Sequence, residues 1–264
     1  MPYTYRDLLE AYEKLGVGAG QLVYVLSDLR WLMEYDKPGE AVLVDHVKAL
    51  RELIGSGGTI VMPTSSINLC NTDIVFDVER TPSYRVGVLA EYFRKLDDSR
   101  RNFHPFISMT ANGPLADDIV CETSRHAFGP ETPMDRLLKL DAKTVSIGHH
   151  PRWTATIVHH VEHVMAVPYR YTKEFLHPVQ RRGEVVVEPF YRHVIYRDIG
   201  VEREVNKKLW EYIRDELGAQ DVDVGRGKIY TYRLRHYYEL ATREFAKDIY
   251  VWCGKKPHTF PYRT

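Results

Sequence analysis

The sequence of 264 residues lacks the features of a secreted or membrane protein. Its three cysteines, Cys70, Cys121 and Cys253, form no C-x-x-C pair and no even framework, which predicts free thiols in a reducing compartment. No apolar run approaches the roughly 20 residues of a membrane span. The first seven residues lack the basic and apolar regions of a signal peptide. We therefore expect a cytoplasmic protein without a membrane partner.

A net charge is also missing, because 36 Lys and Arg balance 36 Asp and Glu. This balance argues against a general nucleic-acid binder, which would carry a basic excess. Tyrosine is abundant by contrast, with 18 residues, many of them beside Arg in the C-terminal third. Such pairs suit a site for planar or anionic groups, and they also occur in an ordinary amphipathic surface.

Strand patterns alternate with helical patterns and short Gly turns, which is typical of an α/β fold. Predicted helices span 5–15, 38–54, 86–96, a short stretch from 114, 133–140, the segment after 151, 205–217 and 236–250. Predicted strands span 21–26, 59–62, 108–111 and 144–147, with a hairpin or small antiparallel sheet from 185–187 and 193–196. We expect a single domain over residues 1–264, with a change of composition near residue 168 as the candidate start of a C-terminal subdomain.

The segment Gly148–His163 carries the strongest chemical signal. At about 100° per residue its helix has an apolar stripe and an opposite stripe of Thr and His, with Glu162 at the border. The apolar stripe contains Ile157, Val158, Val161, Val164 and Met165, and the polar stripe contains Thr156, His159, His160 and His163. Because imidazole titrates near neutral pH, this stripe suits proton transfer in a cleft. A solvated face that happens to be rich in His is the alternative.

Two chemistries fit this helix. In the first, His159 is a general base and Glu162 either orients it or binds an amine. In the second, residues 159–163 form the H-x-x-E-H pattern of the inverted zinc peptidases, with His159 and His163 as ligands. The zinc hypothesis needs a third ligand, for which Glu239 is a candidate, and the chain is short for such an enzyme.

Several separated segments resemble the aminoglycoside 3-N-acetyltransferase family. Each is similar to a family pattern, in the family's order and spacing: Phe76–Ser83 to F-D-x-x-x-T-P-S, Arg101–Ser108 to R-S-x-H-P-x-x-S, Phe128–Leu137 to F-G-x-x-S-P-x-x-x-L and Thr156–Glu162 to T-x-L-H-x-A-E, together with Gly58–Thr64. One such match is weak evidence, whereas this set in register is specific.

The resemblance implies an α/β acetyltransferase, unrelated in fold to the GNAT type, with a central mixed sheet flanked by helices and a small antiparallel β element in the C-terminal third. It implies an enzyme that uses acetyl-coenzyme A to acylate a sugar amine, with no metal. The family's catalytic histidine falls on His159, and we expect Glu162 or another carboxylate to fix its tautomer. The residues that border the coenzyme become Ser27, Arg101, His104, Pro105 and Ser108.

One departure concerns Leu26–Asp28, where the family usually has H-S-S; it suggests a side branch of the family. Since the chain is neutral and its C-terminal third is rich in Arg and Tyr, we favour a nucleotide-linked amino sugar as the acceptor, with Thr156, Arg192 and Arg233 as substrate-binding residues. An aminoglycoside acceptor is the alternative, and a non-catalytic sugar-nucleotide-binding protein is a further one. A homodimer is compatible with the sequence.

Overall fold

The computed structural model describes residues 2–153, 155–197, 199–203 and 207–260. Within these ranges the strands are β1 (Leu22–Ser27), β2 (Thr59–Pro63), β3 (Arg100–Arg101), β4 (Met109–Asn112), β5 (Lys143–Ile147), β6 (Arg170–Arg181), β7 (Glu184–Ile195), β8 (Glu202–Arg203), β9 (Gln220–Val224), β10 (Gly227–Arg233) and β11 (Cys253–Lys255). The helices are α1 (Tyr5–Lys14), α2 (Ala41–Ile54), α3 (Val88–Arg94), α4 (Ala116–Val120), α5 (Pro133–Lys139), α6 (Ala155–Val164), α7 (Lys207–Leu217) and α8 (Leu234–Lys247).

The central sheet has the strand order β3-β4-β2-β1-β5-β10-β9. Its middle strands β2, β1 and β5 are parallel, whereas β4 and β10 pair with them in antiparallel orientation. The sheet is therefore mixed, and the predicted fold class is confirmed. Because β1 and β5 are parallel neighbours, their carboxyl ends, Ser27 and Ile147, lie side by side and open on the same edge of the sheet.

Helices cover both faces of this sheet, as the alternation of β1 requires. Leu22, Tyr24 and Leu26 face a core shared with α4 to α8. Val23 and Val25 face the opposite core, built with α1, α2 and α3. Local signals set the helix boundaries, for example the capping box in which Thr4 and Asp7 exchange hydrogen bonds at the start of α1.

The small antiparallel element is the long hairpin β6–β7, which forms its own two-stranded sheet. A third apolar cluster, with Phe106, Phe175 and Phe190 among its members, packs the hairpin against the loops that follow β2 and β3. Isolated bridges Phe76↔Val179 and His126↔Tyr191 tie the hairpin to the rest of the chain. The hairpin is thus a separate layer at the edge where β1 and β5 end.

The structure differs from the sequence predictions in several elements. The predicted strands 185–187 and 193–196 both fall on the single strand β7, the second reaching one residue beyond it, so the predicted pairing between them is wrong. The antiparallel partner of β7 is β6, which was not predicted because its first five residues, from Arg170 to Glu174, are polar or aromatic on both faces. Strands β9 and β10 were not predicted, and they add two strands to the central sheet. The predicted start of α7 at Val205 lies outside the described residues, and the helix is described from Lys207.

After residue 168 the chain forms the hairpin and then returns to the central sheet through β9 and β10. A single domain with a candidate C-terminal subdomain from residue 168 stays a prediction. Within the described ranges, no helix combines the length and apolarity that crossing a membrane requires.

Candidate active site

The helix α6 follows β5, so it begins at the edge where β1 and β5 both end. Ile157, Val158 and Val161 are fully buried in the core between the helices and the sheet, as predicted. Val164 departs from the prediction, since it is exposed at the last turn. With the apolar stripe anchored in this way, the opposite stripe places His159 at the floor of two cavities.

His159 is held by Glu162, which is itself paired with Arg170. Its Nδ1 lies 2.7 Å from Glu162 Oε2, one turn along the same helix. Arg170 Nε at the start of β6 lies 2.8 Å from the same oxygen. Glu162 is fully buried and the Arg170 side chain is 5% exposed, whereas the His159 side chain is 22% exposed. A carboxylate at Nδ1 selects the tautomer with a proton on that nitrogen, so Nε2 carries the basic lone pair.

The electrostatics of Glu162 support an ionised carboxylate. Burial alone would raise the pKa of Glu162, but the bonds and charges of His159 and Arg170 outweigh burial, and the pKa lies below its ordinary value. The His159 ring is further held between Phe128, at 5.8 Å between ring centroids, and Trp252, at 5.1 Å in an edge-to-face contact. The arrangement holds one imidazole in a defined orientation beside a buried negative charge.

The first cavity, which we call the strand-end cavity, has a volume of about 880 Å³. It lies at the ends of β1 and β2 and contacts His159. Its lining includes Ser27, Asp28, Arg30, Arg85, Gly87, Ser108, Phe128, Thr156 and His159. Three residues that the resemblance assigned to the coenzyme or the substrate, Ser27, Ser108 and Thr156, therefore lie in one cavity with the histidine.

The second cavity, which we call the hairpin cavity, has a volume of about 700 Å³ and lies under β6 and β7. Phe128 and His159 line it as well, so the two cavities meet at the imidazole. Its other lining residues are mainly cationic, aromatic or aliphatic; they include Arg170, Tyr171, Lys173, Phe175, Arg192, His193, Tyr196 and Arg197. The predicted substrate residue Arg192 is among them.

The H-P loop supports the strand-end cavity mainly from behind. The Arg101 guanidinium donates to the carbonyls of Thr64 at 2.5 Å and Thr81 at 2.6 Å, and to Ser66 Oγ and Ser108 Oγ. The guanidinium therefore hydrogen-bonds to acceptors within the protein, and burial lowers the pKa of Arg101 to about 9. The structure places Arg101 against the loop after β2, where it fixes Ser108, and outside the lining of both cavities.

His104 and Pro105 are also buried in this loop. His104 Nδ1 accepts hydrogen bonds from the amides of Phe106 and Ile107, at 3.2 and 3.1 Å. Burial lowers the pKa of His104 to about 3, so the ring is neutral. Neither residue lines the strand-end cavity, so the loop reaches it through Ile107, Ser108 and Met109.

Arg233 requires a correction. It is the last residue of β10 and pairs with Lys143, the first residue of β5. The carboxyl end of β5, where His159 lies, is therefore at the other end of this strand pair. Arg233 is exposed and forms an ion pair with Asp141, so the structure does not bring it to either cavity. We do not retain it as a substrate-binding residue.

Sequence reasoning missed several residues that complete the site. Arg30 and Arg85 line the strand-end cavity, and Arg30 is paired with Asp28 through two hydrogen bonds at 2.8 and 2.7 Å. Arg170 neutralises Glu162 from 8 positions further along the chain, and Trp252 reaches His159 from the C-terminal segment. The contacts of Arg170 and Trp252 depend on tertiary packing and have no local sequence signal, whereas the Asp28–Arg30 pair is local in sequence.

The zinc hypothesis finds no third ligand here. In the described part of the chain, no group of three or more His, Cys, Asp or Glu side chains is placed to hold a metal ion. His163 instead packs beside His193, with ring centroids 5.2 Å apart. The Glu162 carboxylate is engaged by His159 and Arg170.

Comparison with known proteins gives a consistent family. A family model described as aminoglycoside 3-N-acetyltransferase matches residues 27–246. Aminoglycoside N(3)-acetyltransferase III from a Salmonella species is 29% identical over 201 residues, which cover 69% of this chain and 68% of that protein. The SPbeta prophage-derived aminoglycoside N(3')-acetyltransferase-like protein YokD of Bacillus subtilis is 25% identical over 271 residues, 94% of each chain.

Solved structures show the same fold. The crystal structure of the Bacillus subtilis YokD protein superposes with a TM-score of 0.80 at 21% identity, covering 94% of this chain and 95% of that one. The structure described as AAC-IIIb binary with CoASH superposes with a TM-score of 0.81 at 16% identity, covering 97% of this chain and 100% of that one.

Proposed function

Since the chain belongs to the aminoglycoside 3-N-acetyltransferase family and is an N-acetyltransferase that uses acetyl-coenzyme A, we propose that it acylates the amine of a small amino sugar with His159 as the general base. The observation that carries this proposal is the position of His159, which borders both cavities while its Nδ1 is held by Glu162. A base at the junction of two cavities can reach an amine in one and a thioester in the other.

We assign the coenzyme to the strand-end cavity and the acceptor to the hairpin cavity. Ser27, Ser108 and Thr156 support the first assignment, because the family resemblance places coenzyme contacts on Ser27 and Ser108 and all three line that cavity. Arg85 and Arg30 supply positive charge there for the coenzyme phosphates. A solved structure of this fold is described with CoASH bound, which agrees with a coenzyme site in the family.

The reaction then follows from the geometry. The acceptor nitrogen gives a proton to Nε2 of His159 and forms a bond to the thioester carbonyl carbon, and the imidazolium is stabilised by Glu162. The tetrahedral intermediate collapses as the carbon–sulfur bond breaks, and the imidazolium returns the proton to the thiolate. The products are the N-acetyl amine and the free coenzyme thiol, without a covalent enzyme intermediate.

The oxyanion requires a hydrogen-bond donor near His159. The Ser108 hydroxyl already donates to the Thr64 carbonyl at 2.9 Å and accepts from Arg101. Thr156 lies one helical turn before His159 and lines the same cavity, so we assign the oxyanion contact to Thr156.

The comparisons favour an aminoglycoside acceptor over the nucleotide-linked amino sugar that the composition suggested. The family description and the curated relatives name aminoglycosides. An aminoglycoside is therefore the first acceptor to test.

The experiment is a thiol-release assay with acetyl-coenzyme A and a panel of amines, on wild type and on His159→Ala. We expect the substitution to lower kcat by two or more orders of magnitude while coenzyme A still binds, since general-base catalysis is worth roughly 10²- to 10⁴-fold. His163→Ala is the matched control, because His163 lies one turn further on α6 and lines neither cavity. Near-normal turnover of His159→Ala would contradict the assignment of His159 as the general base.

A further inference from the structure

The hairpin cavity is lined by four cationic side chains, Arg170, Lys173, Arg192 and Arg197. Among the residues that the structure describes, no Asp or Glu lines this cavity. A cavity of this sign repels a polycation such as an aminoglycoside and attracts an anion. The positive charge of the hairpin cavity, the proposed acceptor site, therefore does not suit an aminoglycoside, which is the acceptor in the names of the relatives.

One of the four cations is already neutralised inside the protein, and three are not. Arg170 is buried and paired with Glu162. For Lys173, Arg192 and Arg197, no carboxylate of a described residue lies within 4.0 Å. The excess positive charge thus points into the cavity from residues on β6, β7 and the segment after β7.

The immediate neighbours of Arg192 do not offset its charge. Its Nη1 donates to Cys70 Sγ at 2.7 Å. Burial raises the pKa of the Cys70 thiol against the opposing effect of Arg192, so the sulfur is a neutral acceptor at pH 7. The guanidinium also lies 5.9 Å from the Phe175 ring centroid, and the Lys173 ammonium lies 4.7 Å from the same ring. Both cations are therefore held over one aromatic ring at the wall of the cavity.

The hairpin register places two of these cations directly opposite each other, and their repulsion lowers the stability of the hairpin unless an anion lies between them. Lys173 and Arg192 are direct cross-strand partners. Like charges at directly opposite positions of a two-stranded sheet repel each other. A phosphate between the two side chains would convert the repulsion into two charge-assisted contacts.

An aromatic surface adjoins the cations. The Tyr171 and Tyr196 rings lie 4.6 Å apart between centroids at 33°, and Tyr171 is 38% exposed. Tyr171 and Lys173 alternate on β6 and so point to the same side of the hairpin. Such a platform suits a planar group carried beyond the phosphate.

We propose that the acceptor of this chain is an amine whose own molecule carries a phosphate or diphosphate group, bound by Lys173, Arg192 and Arg197 in the hairpin cavity. This inference rests on the proposed acetyl transfer at His159 and names the chemical class of its acceptor. Two sources share this chemistry, a sugar phosphate and a nucleotide-linked sugar, and the test separates them.

The first measurement is binding, independent of turnover. Inorganic pyrophosphate is titrated calorimetrically into wild type, Lys173→Glu, Arg192→Glu and Arg182→Glu, with the coenzyme site filled by saturating coenzyme A. Arg182 lies exposed in the turn of the same hairpin, so its variant makes the same charge change away from the cavity. We expect Lys173→Glu and Arg192→Glu each to weaken pyrophosphate at least tenfold, and Arg182→Glu to leave it within twofold. No binding by wild type, or equal affinity in all four proteins, would overturn the proposal.

The second measurement is turnover with matched amines: glucosamine, glucosamine 6-phosphate, UDP-glucosamine and the aminoglycoside sisomicin. We expect kcat/KM for a phosphate-bearing amine to exceed that for glucosamine at least tenfold and to fall on adding salt. Preference for UDP-glucosamine indicates the nucleotide source, and preference for glucosamine 6-phosphate indicates the sugar phosphate. Sisomicin as the best acceptor would overturn the anionic acceptor while leaving acetyl transfer intact. Thiol release with none of the amines, alongside intact pyrophosphate binding, would count against the acetyl transfer instead.

Discussion

The carboxylate of Glu162 determines what His159 can do, because it is the buried negative charge that faces Nδ1. A neutral amide at this position would keep a hydrogen-bond acceptor and remove the charge that stabilises the imidazolium. It would also leave the buried Arg170 guanidinium without a counter-ion. The residue therefore acts on the reaction through the histidine, as a positioning residue.

We predict that Glu162→Gln lowers kcat roughly 10- to 100-fold, because the histidine loses the carboxylate that orients its ring and fixes its tautomer. The acidic limb of the kcat/KM profile should move to lower pH, because an imidazolium without its carboxylate partner releases its proton more readily. Breaking a buried ion pair from one side should also cost about 3 kcal/mol or more of stability, measured by urea unfolding.

The double variant Glu162→Gln with Arg170→Met separates the two effects. Removal of both charges should recover much of the stability but neither the rate nor the position of the acidic limb. An acidic limb that stays in place in the single variant would show that Glu162 is only structural.

The sequence predicted the positions of individual residues better than their contacts. His159, Glu162, Ser27, Ser108 and Arg192 all line or support the two cavities, since motif and helical period already placed them on the right side of their elements. Arg101 and His104 have the residue types of ligand-binding groups, but their polar atoms meet backbone carbonyls and amides. The orientation of the Arg101 guanidinium inside its loop depends on tertiary packing, and a sequence pattern does not contain that information.

Helix α3 borders the strand-end cavity, the proposed coenzyme site, with its first turn. Gly87 precedes α3 with φ of 95°, and a Cβ at this position would lie 2.7 Å from the Ser27 carbonyl oxygen. Both residues line the strand-end cavity. Glycine is thus required twice, by the backbone conformation and by the close approach to β1.

We predict that Gly87→Ala raises KM for acetyl-coenzyme A at least threefold with a smaller effect on kcat, because the end of β1 and the start of α3 must move apart. Gly20→Ala is the matched control: Gly20 also has a positive φ, of 74°, but nothing lies within 4 Å of its Cβ position. At φ of 95° and ψ of 153°, Gly87 lies in a region that is essentially restricted to glycine, so Gly87→Ala should lose about 1–3 kcal/mol of stability from the backbone conformation alone. An equal KM for acetyl-coenzyme A in Gly87→Ala and Gly20→Ala would show that the effect comes from backbone strain and not from the close approach to β1.

Strand β10 and the hairpin show where element prediction from sequence fails. Residues 230–233 contain two tyrosines and an arginine, which suggested a binding surface, yet Tyr232 is buried in the sheet core and Arg233 ends the strand. In β6 the face that buries Phe175 and Val179 begins with the exposed Tyr171 and Lys173, and the opposite face carries the exposed Leu176, so no regular polar–apolar period appears. In both cases a neighbouring strand far away in sequence decides the structure, whereas the parallel strands β1, β2 and β5 are apolar enough to be predicted locally.

The stability of the whole molecule should depend on pH through buried neutral histidines. Burial lowers the pKa of both His46 and His104 to about 3. His46 is enclosed by the Tyr3 and Tyr12 hydroxyls, and His104 accepts two backbone N–H groups, so protonation would break these contacts.

For each histidine the folded-state pKa lies below the unfolded value of roughly 6.5. The unfolded chain therefore takes up the proton first as pH falls, and stability is present above pH 6.5 and lost progressively down to about pH 3. Each group contributes a slope of roughly 1.4 kcal/mol per pH unit. We predict a loss of roughly 5 kcal/mol between pH 6.5 and pH 4.5 from this pair, which is comparable to the total stability of many domains.

Urea unfolding at intervals from pH 8 to pH 4.5 measures this slope. His104→Asn keeps a hydrogen-bond acceptor but does not titrate. It should reduce the change of the free energy of unfolding per pH unit by the contribution of one proton, roughly 1.4 kcal/mol. A free energy of unfolding that stays constant from pH 7 to pH 5 would contradict the prediction.

The hairpin β6–β7 has a consequence for how this enzyme could acquire new substrates. Tyr171, Lys173 and Arg192 line the hairpin cavity and not the strand-end cavity, and they are distinct from Arg170, the hairpin residue that holds Glu162. We therefore expect substitutions at these three positions to change the hairpin cavity and to leave the strand-end cavity and the contact between His159 and Glu162 in place. With the acceptor in the hairpin cavity, as we propose, selection or a library built on these positions would exchange one acceptor for another on an unchanged acetyl-transfer scaffold.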